Sequence, residues 1–268
     1  MKKVLTLLLA CMMIAAMAAC SPSTPANAGT PEVPKVEINK PDDLEGKKIG
    51  VQLGTTGDIY ASDIPGAEIQ QYNKGFEAVQ ALEQGKVDAV IIDDQPAKVF
   101  ASQNDKIMVV EEPFTFEEYA ICVSKDKADL TAAMNAAMAE LKADGTLQAI
   151  IDYYIGQQDG AKAYTSPDGI TYPNGTLVMA TNAEFPPYEY KEGDSIVGID
   201  ADFAKAICDK MGYELKIEDM AFDSIIAAVQ GGKADFGAAG MTVTEDRLKT
   251  IDFTESYYTG TQVIIVRK

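Results

Sequence analysis

Short apolar runs alternate along this chain with segments of helical periodicity, and this alternation most constrains the fold. Residues 87–92 form an apolar run interrupted by Asp88, which is typical of a strand buried on both faces of a parallel sheet. Just before it, Phe76, Val79 and Leu82 recur at helical spacing, and the pattern stops at Gly85. Strands that alternate with helices in this way predict an α/β fold.

The same style of pattern occurs twice. The sequence predicts strands at residues 48–51, 69–72, 87–92, 107–110, 118–123, 177–181 and 213–217. It predicts helices at residues 76–84, from about 96, and at 130–143, 147–155, 199–211 and 222–230. The junction Gly85-Lys86-Val87-Asp88 matches Gly232-Lys233-Ala234-Asp235. Two similar α/β lobes are therefore expected, with a ligand site in the cleft between them.

Composition excludes several classes of function. Lys and Arg number 23 against 41 Asp and Glu, so the net charge of −18 argues against nucleic-acid binding. The absence of His excludes His-based catalytic triads and His-ligated zinc. The four Cys, at positions 11, 20, 122 and 208, show no CxxC spacing, which argues against a Cys metal site or a disulfide scaffold. No metal and no cofactor is expected.

The first forty residues are predicted to direct and tether the protein. Lys2 and Lys3 precede an apolar run over residues 4–19, which is shorter than the ~20 residues of a membrane span and indicates a secretory signal at 1–19. The end of the run, Met17-Ala18-Ala19-Cys20, resembles a bacterial lipobox and predicts lipidation of Cys20. The alternative is ordinary cleavage beside an incidental Cys. Residues 20–40, rich in Pro, Ser, Thr and Ala, are predicted to form a flexible spacer.

Local sequence leaves each candidate site residue with two interpretations. One candidate lies between a strand and a helix, at Gly54-Thr55-Thr56-Gly57. It is either an anion-binding site at the helix N-terminus or an ordinary turn. Asp93-Asp94 is either an acid pair or the start of a helix, and the second is favoured because neighbouring strand residues point to opposite faces. Arg247 is either a surface charge or a carboxylate clamp. Phe185, beside two prolines, serves either packing or ligand contact.

Taken together and in order, these segments resemble the family 3 solute-binding proteins of polar amino acid ABC transporters. The resemblance covers roughly residues 41–268. It is carried by Asn182-Ala183-Glu184-Phe185-Pro186-Pro187-Tyr188-Glu189, Gly198-Ile199-Asp200-Ala201-Asp202-Phe203, Phe222-Asp223-Ser224-Ile225, Gly240-Met241-Thr242 with Arg247, Asp252-Phe253-Thr254, Gly54-Thr55-Thr56-Gly57 and Val90-Ile91-Ile92-Asp93.

The resemblance implies a two-lobed, type II periplasmic-binding-protein-like (Venus flytrap) α/β fold and a set of ligand contacts. Arg247 would bind the ligand α-carboxylate, assisted by Thr55, Thr56 and the Thr242 hydroxyl. Asp93 and the Gly240 carbonyl would take the α-ammonium. Phe185 and Phe222 would sandwich the side chain, with Asn182 and Gln52 at the walls. The neutral amides of Asn182 and Gln52 favour a neutral polar side chain such as that of glutamine, although Glu184 argues for a cationic one.

The two lobes stand in the reverse of the family's usual order, which suggests a circular permutation. The expected organisation is a smaller lobe at 41–112, a hinge crossing at 113–117 and a larger lobe at 118–268 that includes a polar linker at 156–175. A single covalent crossing between the lobes is then expected. The strand at 262–266 should lie near the start of the strand at 118–123.

The implied function is capture of a polar amino acid outside the membrane and delivery to an ABC permease. The protein would be a monomer, lipid-anchored at the outer face of the cytoplasmic membrane, and not an enzyme. Two alternatives are a cyclohexadienyl dehydratase-like enzyme on the same scaffold and an amino acid sensor that works without a transporter. The sequence leaves open whether Cys122 and Cys208 are paired.

Overall fold

The computed structural model describes residues 36–156 and 160–268. The predicted signal peptide, Cys20 and most of the predicted spacer lie outside these residues. In the described part of the chain, no helix combines the length and the hydropathy needed to cross a membrane.

The elements follow the predicted alternation closely. The strands are β1 Lys48–Gln52, β2 Glu68–Tyr72, β3 Ala89–Asp93, β4 Ile107–Val109, β5 Thr115–Tyr119, β6 Cys122–Val123, β7 Thr176–Thr181, β8 Glu184–Phe185, β9 Glu189–Glu192, β10 Ser195–Val197, β11 Glu214–Asp219, β12 Phe236–Gly237, β13 Asp252–Phe253 and β14 Tyr258–Arg267. The helices are α1 Thr56–Ser62, α2 Gly75–Glu83, α3 Asp94–Gln103, α4 Ala128–Ala143, α5 Thr146–Ile151, α6 Ile199–Lys210, α7 Ile225–Gln230 and α8 Glu245–Leu248.

The first lobe is built on a mixed sheet of order β2-β1-β3-β14-β4, with β5 beside β14. Strand β1 runs parallel to β2 and β3, whereas β14 runs antiparallel to β3, β4 and β5. All five residues of β3 are buried, as the apolar run predicted. Apolar clusters cover both sheet faces, one with Leu82 and Val90 and the other with Ile49 and Ile91, so this sheet lies between two layers.

The second lobe has a sheet of order β11-β7-β12-β6-β13 and a small antiparallel sheet of order β10-β9-β8. Helix α6 buries Phe203 and Ile207, two of the residues whose spacing predicted it. These side chains share a core with Met179, Phe236 and Tyr188. That core holds the start of α6 and the small sheet against the main sheet, close to the segments that line the cavity described below.

The repeated junction seen in the sequence has the same geometry in both lobes. Gly85 and Gly232 have φ values of 70° and 71°, a left-handed conformation that favours glycine. Three residues later, the Asp88 carboxylate accepts from the Lys48 N–H at 3.0 Å, and the Asp235 carboxylate accepts from the Val178 N–H at 2.8 Å. Each Asp therefore ties the start of its strand to the neighbouring strand, which supports the predicted likeness of the lobes.

The chain crosses between the two lobes twice, and the expectation of a single crossing was wrong. The first crossing follows β5 and the second lies between β13 and β14. The predicted hinge at 113–117 overlaps β5, which belongs to the first sheet. Strand β14 also belongs to the first sheet and not to a larger lobe at 118–268, because it pairs with β3 over five residues, from Gln262 opposite Asp93 to Val266 opposite Ala89.

Strand β14 lies beside the first crossing through residues 258–262, whereas the predicted residues 262–266 pair with β3. Its residues Tyr258 to Gln262 pair with β5, with Thr259 opposite Glu118. Gly260 allows this close approach, because a Cβ atom there would lie 2.2 Å from the Tyr119 ring. The two crossings therefore run side by side, with the aromatic ring of Tyr119 packed between the strands.

The polar segment before β7 is docked on the second lobe by aromatic hydroxyls. The hydroxyls of Tyr164 and Tyr172 each donate to the Asp209 carboxylate at 3.1 Å. The Tyr154 hydroxyl and the Tyr164 N–H donate to the Asp202 carboxylate at 2.9 and 3.0 Å. These hydrogen bonds attach the segment to α6, whereas the composition of the segment predicted only a polar linker.

Cys122 and Cys208 are buried, unpaired thiols. They belong to different apolar clusters of the second lobe, so no disulfide joins them. Burial raises the pKa of each thiol to about 12, which keeps both protonated and unreactive at neutral pH.

Candidate functional site

One cavity of about 320 Å³, counting its opening to solvent, lies between the two lobes. All ten residues predicted to contact a ligand line it, and two further lining residues, Glu189 and Ala239, were not predicted. The lining residues are Gln52, Thr55, Thr56, Asp93, Asn182, Phe185, Glu189, Phe222, Ala239, Gly240, Thr242 and Arg247.

The first lobe brings its side chains to the cavity from the carboxyl ends of parallel strands. Gln52 is the last residue of β1 and Asp93 is the last residue of β3. Thr55 caps helix α1, since its hydroxyl accepts from the Asp58 N–H at 3.3 Å and donates to the Gln52 carbonyl at 2.8 Å. Adjacent parallel strands end at the same sheet edge, which is why residues distant in sequence share this wall.

The second lobe uses turns that follow its strands. Asn182 comes directly after β7, and Gly240 and Thr242 come shortly after β12. Gly240 has a φ of 52°, and a Cβ atom there would lie 3.2 Å from the Phe185 ring. Glycine at this position therefore lets the backbone lie against the aromatic wall of the cavity.

Arg247 is the cation of the cavity and reaches across it. Its Nη1 donates to the Thr242 carbonyl at 2.7 Å, and its Nη2 donates to the Gly54 carbonyl of the opposite lobe at 3.0 Å. The guanidinium carbon lies 5.5 Å from the centre of the Phe222 ring, a cation–π contact. Burial lowers the pKa of Arg247, but guanidinium stays charged in proteins, so a buried positive charge faces the cavity.

Two neutral amides meet across the cavity. The Gln52 Nε2 donates to the Asn182 Oδ1 at 2.9 Å. Each amide is also fixed by its own lobe, because Gln52 Nε2 donates to the Asn73 carbonyl at 3.2 Å and Asn182 Nδ2 donates to the Met220 carbonyl at 2.9 Å. The pair forms an uncharged wall with fixed donor and acceptor directions.

A third contact between the lobes lies at the rim. The Lys74 ammonium pairs with the Glu184 carboxylate of the opposite lobe. Glu184 is the acid that favoured a cationic ligand in the sequence. Lys74 therefore offsets the charge of Glu184, and Glu184 is not among the residues that line the cavity.

The acidic side of the cavity is buried. Asp93 is only 7% exposed and accepts from the Gln262 amide at 2.8 Å. Burial and the neighbouring Glu117 charge raise the pKa of Asp93 well above its usual value. Burial and Asp200 likewise raise the pKa of Glu189, and burial raises that of Asp200 to about 6. The neutral forms of Asp93 and Glu189 are therefore favoured, whereas Asp200, with a pKa of about 6, is mostly ionised at pH 7.

Sequence reasoning missed Glu189 and the buried residue Glu117, which accepts a hydrogen bond from the Thr242 hydroxyl at 2.9 Å. Glu189 follows Tyr188 at the start of β9, and only its place in the small sheet brings it to the cavity. Strand alternation around Glu117 and Glu118 was the available signal, since one of two neighbouring acids must face inward.

This set of groups can hold a zwitterion. A buried guanidinium and a buried carboxyl group face one cavity, with aromatic rings and amides between them. A ligand with a carboxylate and an ammonium would replace its lost hydration by charged hydrogen bonds at both ends. In residues 36–156 and 160–268 no group of three His, Cys, Asp or Glu side chains could hold a metal ion.

Comparison with known proteins gives matches over part of the chain. The arginine-binding extracellular protein ArtP of Bacillus subtilis (strain 168) is 46% identical over 92 residues, which are 34% of this chain and 36% of that protein. The L-cystine-binding protein TcyJ of Escherichia coli (strain K12) is 35% identical over 121 residues, or 44% of this chain and 46% of that protein. The chain thus spans less than half the length of these relatives.

A solved structure gives a similar partial match. The chain is 42% identical in sequence to the arginine-bound form of domain 1 from TmArgBP, and the match has a TM-score of 0.31. The matched region covers 35% of this chain and 81% of that chain.

Two α/β lobes facing one cavity define the class of two-lobed, type II periplasmic-binding-protein-like binding proteins. Residues 177–268 match the sequence profile of the bacterial extracellular solute-binding proteins, family 3. This part of the chain is similar to that family, and the two relatives reported above are binding proteins for arginine and for L-cystine.

Proposed function

We propose that the protein captures a single amino acid in the cavity between its lobes and delivers it to the permease of an ABC importer. Arg247 binds the α-carboxylate together with backbone groups at Thr55 and Thr56. Asp93 and the Gly240 carbonyl bind the α-ammonium, and Phe185 and Phe222 hold the side chain. The observation that carries the proposal is that the Arg247 guanidinium and the Asp93 carboxyl group, from opposite lobes, line the same cavity.

This arrangement couples binding to closure of the lobes. A ligand that contacts Arg247 alone or Asp93 alone gains only half of the charged hydrogen bonds. Both are satisfied when the lobes approach, so the ligand stabilises the closed arrangement by its differential contacts. The protein acts in this scheme as a monomeric binding protein and not as an enzyme.

We propose that the ligand side chain is neutral and polar, as in glutamine. The wall formed by Gln52 and Asn182 carries amide donors and acceptors but no charge. Glu184 is paired with Lys74, and the raised pKa of Glu189 favours its neutral form. Relatives of the chain include arginine-binding and L-cystine-binding proteins, so selectivity is tested separately from binding itself.

A panel of the twenty amino acids and cystine tests both parts of the proposal. Thermal shift, followed by calorimetry, should find that glutamine raises the melting temperature and binds at least about tenfold more tightly than arginine. A ligand at one hundred times its Kd stabilises the native state by about 2.7 kcal/mol, an easily measured shift. Arginine binding far more tightly than every neutral amino acid would overturn the selectivity alone. Absence of binding by all of them would overturn the function.

We propose that the mature protein begins at a lipidated Cys20 and is held at the outer face of the cytoplasmic membrane. The support is the apolar run of residues 4–19, which ends in Ala19-Cys20. Mass spectrometry of the mature N-terminus should find a diacylated Cys20, and replacement of Cys20 by alanine should release the protein from membranes. An unmodified Cys20 in the mature protein would refute this proposal.

We also propose that the lobes stand in circularly permuted order relative to the family. In support, the matched family segment is residues 177–268, whereas the Gly-Thr-Thr turn and Asp93 precede it in the chain. The two crossings run side by side and the segment before β7 is docked on the second lobe. A connection there would let the lobes keep their usual structures with new chain ends.

A further inference from the structure

A second carboxylate lies directly behind the acidic wall of the cavity. Glu117 is on β5, where strand alternation buries it to 4% exposure and leaves the neighbouring Glu118 exposed. Its Oε2 accepts from the Thr242 hydroxyl at 2.9 Å and from the Gln262 Nε2 at 3.0 Å. Glu117 thus contacts one lining residue directly and is connected to a second through Gln262.

The same amide nitrogen joins Glu117 to Asp93. Gln262 Nε2 donates to Asp93 Oδ2 at 2.8 Å as well as to Glu117. The two carboxyl groups therefore lie within about 6 Å of each other, the range in which one negative charge opposes a second. Among the described residues, Asp93 Oδ1 and Glu117 Oε1 are buried without a hydrogen-bond partner. One oxygen of each group is thus left for a positive donor.

The groups around this pair provide little positive charge. Arg247 and the Tyr60 hydroxyl face Glu117. Asp93 is faced by Asp94, Glu189, Tyr188, Tyr257 and Tyr258. Arg247 is the cation among these groups, and before the ligand binds it can compensate one of the two carboxylates at most. Two ionised carboxylates here would therefore be poorly compensated, since a buried charge without a partner is strongly unfavourable.

We propose that Asp93, buried beside the Glu117 carboxylate, holds a proton before the ligand binds, and that the ligand α-ammonium displaces this proton. The inference rests on the proposed function, because it requires an amino acid ammonium at Asp93. The carboxyl O–H bond breaks and the proton passes to solvent buffer, while the ammonium keeps all its hydrogens and donates to the carboxylate. Glu117 is a positioning residue in this scheme, since it acts through Asp93, Gln262 and Thr242.

The sign of the pH dependence follows from the competition between proton and ligand. The pKa of Asp93 is raised before binding and falls when an ammonium becomes its partner, so protonation opposes binding. Affinity should therefore decrease as the pH falls through the raised pKa, at a limit of about tenfold per pH unit for one displaced proton. The charges of glutamine and arginine themselves stay constant between about pH 5 and 7.5.

Calorimetry with L-glutamine and L-arginine as probes tests the inference. Titrations at pH 5.5, 6.5 and 7.5, in buffers of different ionisation enthalpy, count the protons released. The wild-type protein should release a proton at the lower pH values and bind more weakly there. Glu117→Gln keeps the side-chain shape and should move the pH profile of binding to lower pH and reduce the proton release, because it removes the Glu117 charge and leaves burial as the other cause of the raised Asp93 pKa. Glu118→Gln, the same change on the exposed face of the strand, should behave like wild type.

Each result of the calorimetry tests either the inference or the proposed function. Binding without proton release in the wild-type protein overturns the inference and leaves the proposed function intact, and this measurement does not depend on any variant. An unchanged pH profile in a folded Glu117→Gln variant, verified by its melting temperature, also overturns it. Failure of every amino acid in the panel to bind overturns the proposed function and the inference together.

Discussion

Replacing Arg247 by alanine should weaken amino acid binding by about 2–5 kcal/mol, or from roughly 30-fold to several thousandfold. The buried guanidinium is the positive charge of the cavity, and without it the ligand carboxylate would be buried without a charged partner. The variant also loses the hydrogen bond from Nη2 to the Gly54 carbonyl, a direct contact between the lobes. Isothermal calorimetry with the tightest ligand of the panel measures the loss.

The matched control is Lys249→Ala, which removes a positive charge two residues later. Lys249 is exposed and pairs with Asp246 at the surface, so its loss should change affinity less than about threefold. An Arg247→Ala variant that binds within threefold of wild type would contradict the assignment of Arg247 to the carboxylate.

Replacing Asp93 by asparagine should produce a loss of similar size at the ammonium end. The amide preserves the shape of the side chain but cannot pair with a positive charge, so about 2–5 kcal/mol of binding energy should disappear.

The same replacement should leave the stability of the folded protein unchanged or raise it. A carboxyl group whose pKa is raised in the folded state stabilises the fold only at low pH, and its ionised form is unfavourable at neutral pH. The variant should therefore melt at an equal or higher temperature at pH 7.

This combination separates a lost contact from a damaged fold. Asp94→Asn is the control, because Asp94 is adjacent in sequence and pairs with Lys98 on its own helix. It should retain binding within about threefold. If Asp93→Asn melts several degrees lower than wild type, its weaker binding would reflect misfolding and the assignment to the ammonium would lose its support.

The cavity residues were predicted from the resemblance to the family, since local sequence left two interpretations for the candidates, and their positions at strand ends explain why the fold brings them together. Gln52, Asp93 and Asn182 each fall at or just after an apolar run, and an open α/β fold brings such positions to one edge. Arg247 lies in the short helix α8, whose start is marked by the N-cap Thr244, and Gly240 lies in a turn where a glycine is a clear local signal. Patterns of this kind act over a few residues, so they can be seen in a single sequence.

The features that the sequence did not predict depend on strand pairing between residues that are far apart in the chain. Strand β14 follows directly on second-lobe segments, and nothing local reveals that its register with β3 places it in the first sheet. The same pairing brings Gln262 to Asp93 and, through β5, to Glu117. A buried Glu cannot be told from an exposed neighbour until the partner strand is known. The second crossing and the second carboxylate were therefore missed for one reason.

The two side-by-side crossings have a practical consequence for fluorescent reporters of ligand binding. Val36 packs against a first-lobe cluster, and the Lys268 N–H donates to the Lys106 carbonyl at 2.9 Å in the same lobe. Donor and acceptor fluorophores fused next to these residues would both be attached to the first lobe. The distance between them would therefore change little as the lobes close. An effective design places one fluorophore in the exposed turn at Gly193-Asp194, because that turn belongs to the lobe inserted between the two crossings.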